Sequence, residues 1–114
     1  MVVTIMKIMF MTQTASDEMA FLINQYLIMT KETMPEMARK ASSTWPVKHD
    51  HCFQRIVLDS VCQGVWYESI KRPAYKHLTY PQAELAVKLC NEIIAGQVDL
   101  SGLNLQSLTW RGKR

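Results

Sequence analysis

The segment from Thr79 to Gly96 admits one local structure, and it sets the terms for the rest of the chain. Thr79-Tyr80-Pro81-Gln82 places a hydroxyl at a helix N-cap and an amide side chain three residues later, so each can satisfy a free backbone N–H at the helix start. Pro81 falls in the first turn, where its missing N–H is no loss. Leu85, Ala86, Leu89, Cys90, Ile93 and Ile94 then form one apolar stripe at helical spacing, and Gly96 supplies a stop. The spacing predicts a helix over 80–95.

The same period recurs upstream. After Ser16-Asp17-Glu18, whose side chains suit a first turn, apolar residues stand at Met19, Leu22, Ile23, Tyr26 and Met29. Phe21, Leu27 and Ile28 add a second apolar face, so the helix predicted over 15–33 carries more apolar surface than one small bundle needs. Thr33-Met34-Pro35-Glu36 reads as a break and a restart, with Thr33 and Glu36 as a second capping box and a short helix running on to Ala41. The stretch 42–46 is a loop, because Pro46 disfavours helix at Trp45.

A third helix is expected from His51 to Gln63, with Asp50 as N-cap and Gly64 as the C′ stop. Its stripe is Cys52, Phe53, Ile56, Val57, Val61 and Cys62. Val65-Trp66-Tyr67 continues as a short turn before Lys71-Arg72-Pro73 ends it. Between Val98 and Trp110 the apolar residues are spaced at two or three, read here as a helix that closes the bundle. Dense β-branched alternation is missing outside residues 2–10, and no fixed repeat is present. The expected fold is all-α, a compact bundle of four or five helices, some short, in one domain over 15–114.

Residues 1–14 are expected to be an N-terminal extension. Met1 to Met11 is apolar apart from Thr4 and Lys7, and two readings stand. The segment is a strand or greasy extension packed on the body, or it is upstream sequence ahead of a natural start at Met11. It is too short to span a bilayer, which needs about 20 apolar residues. Its charge lies inside the apolar run and no A-x-A site follows, so it makes a poor signal peptide. No membrane association is expected.

Composition narrows the class further. With 48% apolar and 20% charged residues among 114, and four Gly and four Pro, the chain is neither low-complexity nor disordered. A chain of this length buries roughly two-thirds of its unfolded surface, so it needs neither metal nor disulfide to fold. Cys52, Cys62 and Cys90 are odd in number with no C-x-x-C pair, which excludes a disulfide framework and fits a reducing, cytoplasmic setting. Thirteen cations against ten carboxylates give +3, short of the dense positive stripe of a dedicated nucleic-acid binder.

Four clusters could carry chemistry. His49-Asp50-His51-Cys52 offers metal ligands, but neighbouring side chains diverge and Cys62 lies about 16 Å up the same helix, so no metal site is expected. His51, Arg55 and Asp59 are four apart, a polar row in which Arg55 and Asp59 can pair across one turn, to hold an anion, act in acid–base chemistry, or simply brace the surface. Trp66, Lys71, Arg72, Tyr75 and Lys76 interleave aromatics with cations, and Arg111 begins a basic tail, the elements single-stranded nucleic acid asks for. Met19, Phe21, Ile28 and Met29 could form an adaptable partner-binding face. The chain holds no P-loop, G-x-G-x-x-G, G-x-S-x-G or H-E-x-x-H motif, so no cofactor and no catalytic residue is expected. The leading expectation is a protein-interaction module, a homodimer or a binder of another protein, acting through the Met-rich helix. Nucleic-acid binding through 66–80 and the tail comes second. A small-ligand binder or enzyme using the polar row comes third.

Overall fold

The structure is a computed structural model that describes residues 15–40 and 42–113. The N-terminal extension or strand therefore lies outside the described residues. Helix α1 spans Ala15–Ile28, a π-turn spans Met29–Thr33, and α2 spans Met34–Ala38. Helix α3 is Asp50–Cys62, α4 is Tyr80–Ile94 and α5 is Leu100–Trp110; two 3₁₀ turns, Trp66–Glu68 and Ala74–Lys76, lie between α3 and α4. There is no strand among the described residues, and the expected all-α bundle is what the chain forms.

Helix α4 starts where its cap requires. Thr79 Oγ1 accepts from the Gln82 N–H at 3.2 Å and Gln82 Oε1 accepts from the Thr79 N–H at 2.9 Å, closing the capping box. Gly96 takes φ +72°, a left-handed stop. Helix α5 is capped by Asp99, whose carboxylate accepts from the Ser101 N–H at 3.1 Å.

The break expected at Thr33 does not occur. Thr33 keeps helical angles and caps nothing, so α1 runs through the π-turn into α2 as one rod. The Met34 N–H reaches Met29 O, five residues back. In a regular α-helix the Pro35 ring would collide with the Lys31 carbonyl. Widening the coil by one residue just before the proline relieves that clash, a recognised way for a helix to carry a proline. Thr30 sits buried in the widened turn, its hydroxyl donating to Tyr26 O at 2.9 Å and accepting from Gln54 Nε2 at 3.1 Å. The rod ends at Ala38 rather than Ala41, with the Arg39 N–H still bonded to Pro35 O at 3.1 Å.

Helix α3 also differs at both ends from the sequence expectation. His49 is the extended residue before it and Asp50 is its first residue, not its cap. At the far end Gln63, not Gly64, takes the left-handed conformation, φ +55°. The Gly64 N–H bonds Asp59 O at 3.1 Å and the Gln63 N–H bonds Ser60 O at 3.4 Å, the paired bonds of a Schellman ending. That motif needs its left-handed residue directly after the last helical turn, and the turn ends one residue earlier than Gly64.

Helix α3 is the centre of the packing: it touches α4, α5, the π-turn and the first 3₁₀ turn. Phe53, Ile56 and Val57 on its inner face are fully buried, against Tyr26, Met34, Cys90 and Ile93 from the other elements. Each such side chain contributes about 1.5–3 kcal/mol through burial. Trp45 from the loop meets Phe53 edge-on, ring centroids 5.6 Å apart. The Met-rich stretch is split by this packing: Met29 is 7% exposed and belongs to the core, Met19 is half-buried against it, and Phe21 and Ile28 face outward at 62% and 41%.

A cationic pocket above a buried carboxylate

Asp59 is buried on α3 and all its acceptor capacity is used. It accepts from Ser107 Oγ at 2.7 Å, from Arg111 Nε at 2.8 Å and Nη2 at 3.1 Å, and from the Trp66 N–H at 3.0 Å. The two Arg111 bonds form a fork on the two carboxylate oxygens, and the hydrogen bond to Asp59 raises the guanidinium pKa. One carboxylate thus ties α3 to the end of α5 and to the 3₁₀ turn.

The expected Arg55–Asp59 pair is not made. Arg55 Nη1 donates to Ser107 Oγ at 2.7 Å and Nη2 to Asn104 Oδ1 at 2.7 Å. Helix α5 inserts the Ser107 hydroxyl between the two residues, where it accepts from Arg55 and donates to Asp59. Arg111, from the far end of the chain, takes the place that Arg55 was expected to fill. His51 is exposed, 3.7 Å from the Asp50 carboxylate and stacked on His49. In the polar row, then, Arg55 reaches the buried Asp59 only through Ser107, and His51 stands apart from both.

A pocket of about 390 Å³ opens between the π-turn, α3 and the loop after it. Lys31, His51, Arg55 and Arg72 line it, and none of its lining residues is a carboxylate. Tyr26, Trp66 and Tyr75 supply aromatic surface, Leu27 and Leu58 aliphatic surface, and Gln54 a polar amide already bonded to Thr30. The Arg72 guanidinium lies 4.6 Å from the Tyr67 ring centroid and 5.5 Å from that of Trp66, so aromatic contact holds it at the pocket's edge. The Arg111 guanidinium is also over Tyr67, at 5.2 Å.

The pocket brings together residues from two of the sequence clusters. Arg55 and His51 come from the polar row; Trp66, Arg72 and Tyr75 come from the basic-aromatic segment. Arg111 joins the buried carboxylate instead, and Lys71 and Lys76 are exposed outside the pocket lining. Sequence reasoning missed Asn104, Ser107, Lys31 and Gln54. Asn104 and Ser107 on α5 and Arg111 directly after it stand three and four apart, a polar stripe readable in the sequence but set among leucines. Lys31 carried no such signal.

Among the described residues no group of three His, Cys, Asp or Glu side chains is close enough to hold a metal ion. Cys52, Cys62 and Cys90 are free thiols; burial pushes Cys90 up to about 12, and burial with the nearby Asp59 charge raises Cys62. No helix among the described residues is long and apolar enough to cross a membrane. Comparison with family models, with curated proteins and with solved structures finds no match for this chain.

Proposed function

We propose that this chain is a small-ligand-binding protein whose pocket takes an organic anion. One observation carries the reading: Arg55, half-buried in the pocket wall, has only neutral hydrogen-bond partners, Ser107 and Asn104. The carboxylate one turn along its own helix is already committed to Arg111. Arg55 and Arg111 thus share a single carboxylate, Arg55 only through Ser107, and an anion entering from the pocket answers the excess positive charge. Lys31 and Arg72 add positive charge on the same lining, while the aromatic walls suit the body of an organic ligand.

The test is a ¹H–¹⁵N titration of the protein with benzoate, citrate and inorganic phosphate. Saturable shifts at Arg55, Arg72 and their neighbours are expected, and Arg55→Met should remove them while the fold persists. Uniform, unsaturable shifts with every anion would refute the reading. A second reading, protein contact through α1, has the exposed Phe21 and Ile28 two turns apart in its favour. Light scattering at high micromolar concentration checks it: a dimer that Phe21→Ser dissociates supports it, and a monomer removes the self-association form.

A further inference from the structure

We infer that the ligand of this pocket is a phosphate monoester on a small planar or apolar body; the inference rests on the anion-binding reading above. Three permanent cations reach the pocket from three separate elements: Lys31 from the π-turn, Arg55 from α3 and Arg72 from the loop between the 3₁₀ turns. A carboxylate is flat and is best met by the parallel N–H bonds of one guanidinium fork. Three cations on one pocket lining, each from a different element, suit a tetrahedral head with three terminal oxygens. A phosphate monoester presents that head with a charge of about −1.5 to −2 near pH 7. A monocarboxylate would leave two of the three positive charges unanswered in a pocket with no acidic lining residue.

The protein's own contacts leave donors for such a head. A guanidinium has five N–H groups, and Arg55 spends one from each terminal nitrogen on Ser107 and Asn104. Its remaining donors are held in place by those two bonds, and Ser107 is itself fixed by Asp59. Tyr26, 2% exposed, lines the same pocket. Trp66 and Tyr75 offer faces for a ring. The volume, about 390 Å³, is at the small end of the range of ligand pockets, about 300–1,000 Å³, which limits the body to a metabolite-sized group.

The experiment is calorimetric titration of the full chain with phenyl phosphate, phenyl sulfate, inorganic phosphate and benzene-1,3-dicarboxylate at pH 7.5. Phenyl sulfate has the same tetrahedral head and ring with a single charge. Phenyl phosphate is expected to bind about tenfold more tightly than phenyl sulfate and than inorganic phosphate. The phosphate-to-sulfate ratio should fall toward one at pH 5, because the second phosphate pKa is about 6. Both probes meet the same His51 on the pocket lining, so the ratio reports the charge of the head. Arg72→Gln, an exposed-site change, should weaken phenyl phosphate about fivefold or more while the protein keeps its helical circular dichroism and cooperative unfolding. Equal binding of sulfate and phosphate, or tighter binding of the dicarboxylate, would overturn the phosphate assignment and leave anion binding standing. A 5′-phosphorylated oligonucleotide that outcompetes phenyl phosphate would overturn the small-molecule assignment. No saturable binding by any of these probes would overturn both proposals.

Discussion

Replacing Asp59 by Ala removes one carboxylate and strands three donors. Arg111 loses its fork, Ser107 loses the acceptor for its hydroxyl, and the Trp66 N–H loses its partner. Breaking a buried ion pair from one side costs about 3–5 kcal/mol. The Arg111 side chain, 18% exposed, can recover some hydration, which lowers its share. The stranded hydroxyl and N–H each add about 1–3 kcal/mol if they stay dry. Water entering the vacated site satisfies much of those two groups, so the expected loss is about 4 kcal/mol, mid-range for breaking a buried pair, against about 5–15 kcal/mol for a whole domain. Asp59→Asn keeps an acceptor for Trp66 but loses the charge, and a loss of about 2 kcal/mol is expected. Urea unfolding followed by circular dichroism, with unchanged slope, measures both. The losses should persist in 0.5 M salt, since a buried pair is weakly screened. An exposed pair four apart on a helix would give about 0.3–0.5 kcal/mol. A loss below about 1 kcal/mol for Asp59→Ala would refute the argument that this carboxylate joins α3, α5 and the 3₁₀ turn.

Three further outcomes follow from the local geometry. Gln63→Gly should stabilise the fold by about 0.5 kcal/mol in the same urea assay, because glycine adopts the left-handed φ without strain while only the exposed Gln63–Ser60 bond is lost. Thr79→Ala should cost about 1 kcal/mol by opening the capping box of α4, with Thr79→Ser restoring most of it. Stability should fall above pH 9: the Cys90 thiol is raised from 9.0 to about 12, so the unfolded chain releases a proton that the folded chain keeps. That contribution is whole below pH 9 and is lost as pH rises toward 12, by roughly 2–3 kcal/mol at pH 11. Unfolding curves at pH 8, 9, 10 and 11 should show a shallower decline for Cys90→Ala than for the parent chain. Burial raises Tyr26 as well, and its share of the loss adds above pH 10.

The local part of this fold is legible in the order of the residues. The α4 boundaries follow from Thr79, Pro81, Gln82 and Gly96, because a capping box and a left-handed stop act within a few residues of chain. The all-α class follows from three apolar stripes at helical spacing, since that spacing is decided by which side chains share a face. The cationic and aromatic residues that line the pocket were visible as types. Tertiary structure decided their partners. Arg55 faces Asp59 across one turn, and the sequence offers no reason for them to stay apart until α5 sets Ser107 between them. Arg111 lies 52 residues beyond Asp59, and its fork exists because α5 packs along α3. Thr33 and Glu36 match a cap, yet the rod continues, because packing of Met29, Thr30 and Met34 into the core favours a widened turn over a break. Capping and periodicity are near-neighbour effects, whereas charge pairing and burial depend on which elements meet. Only packing chooses that.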